Sequence, residues 1–143
     1  HYIELGGEIR TSPVKKDKIP WVVGIEDPER RNNFLFKLES NMFKEFSVAT
    51  SGDYRNFRAF EEQLVSHTFN IKLGKPNEYS KSSVTVVAEN AMKADALATA
   101  LNAMGQEEAI KYSNKNNIKA IFISNQNKQT NLIFSNSMSK IVK

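Results

Sequence analysis

The sequence predicts an α+β fold in which a mostly antiparallel sheet packs with a helical pair. Short apolar runs rich in β-branched and aromatic residues stand both ahead of and behind a single helical region. Polar turns of hairpin length separate these runs. The helical region itself divides at Gly105 into two pieces, and no internal repeat competes with this arrangement.

Tyr2-Ile3-Glu4-Leu5 reads as a short strand, followed at once by Gly6-Gly7, a pair that admits positive φ and reads as a bulge, a turn or a place where a ligand nears the main chain. Lys15, Lys16 and Lys18 beside Pro13 and Pro20 read as a solvated basic loop. Trp21 to Glu26 is a strand closed by the turn opener Asp27-Pro28. Phe34 to Leu38 is another, with Phe34, Phe36 and Leu38 alternating. Phe46 to Thr50 is a strand that gives way to the polar turn Ser51-Gly52-Asp53-Tyr54. Phe57 to Phe69 reads as two strands joined near Glu61-Glu62, and Asn70 to Lys81 as a loop. Val84, Val86 and Val87 mark a buried strand over 83–88, Asn90 an N-cap, and Ala91 to Met104 a helix ended by Gly105. Ala91, Ala94, Leu97, Ala98, Leu101 and Met104 recur at helical spacing, and a helix so rich in alanine and apolar residues is expected to be buried. A second helix spans about Gln106 to Asn114, with Glu107 and Glu108 favourably placed in its first turn. Ile118 to Ile123 and Thr130 to Phe134 form a hairpin around Gln126 to Gln129, and the tail from Ser135 to Lys143 is expected to fray.

The chain of 143 residues is long enough for one domain with a core. It has no cysteine, which excludes disulfides, thiolate metal sites and cysteine nucleophiles. Its net charge of +4 is scattered, and aromatics are not interleaved with its lysines, which speaks against a nucleic-acid-binding surface. Asp95 and Thr99, four residues apart, share a helical face. A carboxylate and a hydroxyl so placed suit a hard cation such as Mg²⁺; alternatively Asp95 is a solvated charge and Thr99 bonds back to a helix carbonyl. On a buried helix the carboxylate would need a partner cation, from Lys, Arg or a metal.

Seven segments, in order, resemble the C-terminal half of one family, the ApbE-type FAD:protein FMN transferases: Leu5-Gly6-Gly7-Glu8-Ile9-Arg10, Trp21 to Pro28, Ala49 to Arg55, Ser66-His67, Gly74-Lys75-Pro76, Ser83 to Ala88, and Ala94 to Ala100. The resemblance covers residues 1 to about 124 and implies a T-fold-like architecture. It implies a Mg²⁺-dependent enzyme that takes FAD as substrate, transfers FMN to a Ser or Thr hydroxyl of an acceptor protein such as a respiratory flavoprotein subunit, and releases AMP. It implies Asp95 and Thr99 as metal ligands, and His67 as base for the attacking hydroxyl or partner of a phosphate. Phe69 is then a contact of the flavin nucleotide, and Gly6, Gly7, Ser51, Gly52 and Tyr54 belong to turns lining the nucleotide cleft. By the same resemblance the protein is expected in the bacterial periplasm or on the outer side of the inner membrane, held there only by an anchor that these residues do not include.

Two departures from the family pattern accompany it. The run His67-Thr68-Phe69-Asn70-Ile71-Lys72-Leu73-Gly74-Lys75-Pro76 lacks the Asp, Pro and Thr of the family's His-x-Ile-Asp-Pro-x-Thr-Gly-x-Pro. Nothing in these residues matches the Asp-Leu-Gly-Gly-x-x-Lys-Gly-type segment of the family's N-terminal half. Residues 1–143 are therefore expected to be the C-terminal part of a longer flavin transferase domain. The alternatives are a non-catalytic flavin-nucleotide-binding or structural remnant, or an FAD pyrophosphatase.

Overall fold

In the computed structural model, residues 1–30, 32–52, 57–60, 63–70, 74–78, 82–126 and 129–142 are described, with backbone alone for 57–60, 63–70, 75–78 and 126. In chain order the strands ahead of the helices are β1 (Tyr2–Leu5), β2 (Glu8–Thr11), β3 (Val22–Glu26), β4 (Phe34–Glu39), β5 (Phe46–Gly52), β6 (Phe57–Phe60), β7 (Gln63–Asn70), β8 (Lys75–Glu78) and β9 (Ser83–Ala88). The helices α1 (Ala91–Met104) and α2 (Gln106–Lys115) follow, then the hairpin β10 (Lys119–Gln126) and β11 (Gln129–Phe134), and a last turn of helix, α3 (Asn136–Ser139).

A six-stranded sheet in the order β1-β2-β5-β9-β10-β11 forms the centre, and every pairing in it is antiparallel. Alternation along its strands divides the core between two faces. Phe46, Val48, Val87, Ile121 and Ile123 point to one side, where the β3–β4 hairpin covers them with Val23, Ile25 and Leu38. Ala49, Val84, Val86, Ala120 and Phe122 point to the other, against Ala94, Ala98 and Leu101 of α1 and Ala109 of α2. The helical pair thus spans the step from β9 to its antiparallel neighbour β10. Among the described residues no helix is long and apolar enough to cross a membrane.

The Gly6-Gly7 pair closes a two-residue hairpin between Leu5 and Glu8, with φ of 67° and 109°. Positive φ at both central positions matches the twist of the flanking strands and is open to glycine at little cost. Asn90 caps α1, its Oδ1 accepting the Lys93 amide at 2.8 Å. Asp27 accepts the Glu29 amide at 2.8 Å, an Asx turn beside Pro28.

Four expectations change. α1 is not buried all round: Ala94, Ala98 and Leu101 are covered where the alanines let the helix lie close on β5 and β9, but Met92 is 81% exposed. Within the stretch read as a loop from Asn70 to Lys81, Lys75–Glu78 forms β8 on β7, and Pro76 is tolerated because β8 is an edge strand. β5 continues through Ser51 and Gly52, which pair with Val84 and Ser83 instead of starting the turn. The tail is docked, since Met138 is fully buried and Ser135 caps α3.

Candidate functional site

β2 pairs with β5 only over Phe46 to Val48, whereas β9 pairs with β5 as far as Gly52. Beyond Val48 one edge of β5 therefore carries no strand among the described residues. The Gly6-Gly7 turn stands on that side, and α1 packs against both β2 and β5. The result is a cavity of about 330 Å³ whose walls include Gly6, Gly7, Ser51, Gly52, Asp95 and Thr99. Four separate parts of the chain, the first hairpin, β3, the end of β5 and α1, meet there.

Asp95 and Thr99 are both exposed, so the burial cost that would have demanded a partner cation is absent. They face the cavity from one side of the helix, as their spacing requires. The Asx cap and an exposed ion pair from Lys93 Nζ to Glu89 Oε1 (2.7 Å) shape the start of this helix, and the hydrogen bond from Lys93 holds the Glu89 carboxyl below its ordinary pKa.

Other residues of the cavity carried no role in the sequence reading. Glu4, Glu8, Gly24, Glu26 and Thr50 also line it. Glu8 folds its carboxylate back over the turn, where Oε2 lies 3.1 Å from the position a Cβ on Gly6 would take. Tyr2 donates its hydroxyl to Glu4 Oε2 at 2.5 Å, and this bond, with a smaller contribution from burial, raises the tyrosine pKa. Thr50 and Thr85 share a hydroxyl hydrogen bond of 2.8 Å behind the wall. The signal for Glu8 was its place directly after two glycines. Gly24 and Glu26 reach the cavity only through packing of the β3–β4 hairpin, which local spacing does not reveal.

His67 and Phe69 lie on β7, which contacts α1, but their side chains are outside the described residues. Tyr54 is outside them altogether. Among the described residues no group of three or more His, Cys, Asp or Glu side chains could hold a metal ion. Asp95 and Thr99 still offer a carboxylate and a hydroxyl on one open face, a donor set that fits a Mg²⁺ taking its other ligands from phosphate and water.

The ApbE family profile matches residues 1–122. The chain belongs to the ApbE family. This ApbE-family chain is 33% identical over 123 residues to an FAD:protein FMN transferase of Vibrio cholerae, covering 86% of the chain and 36% of that protein. A second FAD:protein FMN transferase, from Haemophilus influenzae, is 33% identical over 127 residues, covering 86% and 35%. Among solved structures, the Pseudomonas stutzeri flavinyl transferase ApbE in its apo form superposes with a TM-score of 0.78 at 28% identity, over 98% of this chain and 42% of that one. The ApbE protein of Thermotoga maritima gives 0.79 at 27% identity, over 100% and 45%. The chain thus spans about a third of the length of the curated relatives it matches, and the α+β fold with its antiparallel sheet is that of the ApbE structures.

Proposed function

We propose that the protein transfers FMN from FAD to a Ser or Thr hydroxyl of an acceptor protein and releases AMP, with residues 1–143 as the C-terminal part of the flavin transferase domain. The reading rests above all on one convergence: Gly6, Gly7, Ser51, Gly52, Asp95 and Thr99, scattered over three parts of the chain, line one cavity. The names of the relatives, FAD:protein FMN transferases, supply the reaction.

In this reading the glycine turn and the end of β5 bring bare backbone up to the nucleotide, and Asp95 with Thr99 would hold Mg²⁺ on the open face of α1. Bound Mg²⁺ would neutralise charge on the pyrophosphate. The acceptor oxygen forms a bond to the FMN phosphorus, the bond from that phosphorus to the oxygen of AMP breaks, and the hydroxyl proton passes to His67. The outer side of the bacterial inner membrane is the proposed place of action.

The test is Mg²⁺-dependent release of AMP from FAD in the presence of an acceptor protein, read by chromatography. Asp95→Ala is expected to lower the rate by about a hundredfold, in the range found for removing a group that stabilises developing charge. The sequence of residues 67–76, without the family's Asp, Pro and Thr, favours one other reading, a flavin-nucleotide-binding module without turnover. FAD binding with no AMP release, and an affinity unchanged by Asp95→Ala, would establish that reading instead.

A further inference from the structure

Arg10 was legible only as the end of the first matching segment, and nothing in the proposed chemistry uses it. On β2 it stands directly opposite Ser47 of β5, and Ser47 stands opposite Ala88 of β9. Cross-strand partners share a sheet face, and Ala88 packs with α1, so this row lies under the helix. From there Arg10 Nη1 donates to Ser47 Oγ at 3.0 Å and to the main-chain carbonyl of Glu89. That carbonyl precedes the cap Asn90, and the first carbonyl of the helical ladder is that of Asn90, which accepts the Ala94 amide at 3.1 Å. The exposed Glu89 carbonyl lies outside that ladder, and the guanidinium is its partner.

The two ends of this contact lie outside the cavity, on segments that each continue into its lining. Arg10 shares β2 with Glu8, which directly follows the Gly6-Gly7 turn; Glu89 directly precedes the cap of the helix that carries Asp95 and Thr99. We infer that Arg10 is a positioning residue: by holding the Glu89 carbonyl it sets the separation of the glycine turn from the Asp95–Thr99 face, and with it the divalent-metal affinity of the cleft. This rests on the metal-binding reading of Asp95 and Thr99. Both bonds leave one nitrogen, whose two N–H directions are fixed by the guanidinium plane, whereas the freely rotating ammonium of a lysine holds such a pair only in part.

The test uses Mn²⁺ as a paramagnetic probe of backbone amide NMR signals, with Asp95→Ala as reference. In the unsubstituted protein the amides of Gly6, Gly7, Asp95 and Thr99 broaden together. Arg10→Met, which keeps the apolar stem, should require about tenfold more Mn²⁺, in the range for residues that orient metal ligands. In that variant Gly6 and Gly7 should also respond less than Asp95 and Thr99, and Arg10→Lys should recover part of the loss. A wild-type response in Arg10→Met, while Asp95→Ala has lost its response, overturns the positioning role and leaves the metal site standing.

If Asp95→Ala responds as the unsubstituted protein does, or Mn²⁺ broadens none of these amides, the metal reading has failed, and the link to metal affinity falls with it. Amide exchange then decides whether Arg10 still sets the wall separation. The Ala94 amide should exchange about tenfold faster in Arg10→Met, with β10 and β11 unchanged, as expected of a local opening. Equal rates overturn that as well. Should Arg10→Met fail to fold, the same comparisons are made with Arg10→Lys, where a smaller shift in the same direction supports the role and none overturns it.

Discussion

Gly7 shows how a single residue shapes the cleft. A Cβ added there would meet nothing within 4 Å, so space does not forbid a side chain; the backbone does, at a φ of 109°. Gly7→Ala should therefore cost about 1 to 3 kcal/mol, the usual strain of an L residue in a sparsely populated region, seen as a lower urea midpoint. Gly24 is the opposite case, with ordinary backbone and the Phe34 ring standing where a Cβ would go. Phe34 is 55% exposed and has room to swing away. Equal costs at the two positions would contradict this division. Asp95 and Thr99 were legible as a pair because helical spacing is local information. The exposure of Asp95 was not, since it depends on which side of α1 the sheet takes.

At the scale of elements, the strands from Val22 to Glu26 and from Ser83 to Ala88 were legible from β-branched runs, and α1 from its cap and terminal glycine. The C-terminal tail was not, because its order hangs on one hydroxyl that no periodicity marks. Ser135 Oγ donates to the Ile118 carbonyl at 2.7 Å and accepts the Ala120 amide at 3.0 Å and the Met138 amide at 3.3 Å. It thus ties α3 to the start of β10 and leaves Met138 buried in the core. Asn136 adds a bond from its amide to Asn114 Oδ1 of α2 at 2.8 Å. Ser135→Ala strands buried backbone groups as well as removing a cap, and should destabilise by about 2 kcal/mol. Asn90→Ala, whose cap is exposed to water, should cost about half as much, ~1 kcal/mol. Urea denaturation of both variants checks the order; a tail that frays would make Ser135→Ala neutral.

For the whole molecule, the net charge of +4 hides a local reversal. The cavity is lined by Glu4, Glu8, Glu26 and Asp95, and by no Lys, Arg or His among the described residues. Composition revealed the sum but not this distribution, because the four carboxylates come from three strands and a helix that only the fold brings together. A pyrophosphate entering such a cleft meets repulsion of about 4 kcal/mol for each unit-charge pair at about 4 Å and an effective dielectric near 20, before screening. A bound cation reverses that sign. FAD affinity, followed by flavin fluorescence, should therefore fall at least about tenfold when a chelator removes divalent metal, in the range for losing a site's main counter-charge. Added salt should strengthen the metal-free binding, because it screens repulsion, and weaken the metal-loaded binding, because it screens attraction. Glu8→Gln removes one repelling charge and should raise metal-free affinity more than metal-loaded affinity, narrowing the gap. Metal-free binding as tight as metal-loaded binding, with the same salt dependence in both, would mean that the pyrophosphate does not sit between the glycine turn and α1.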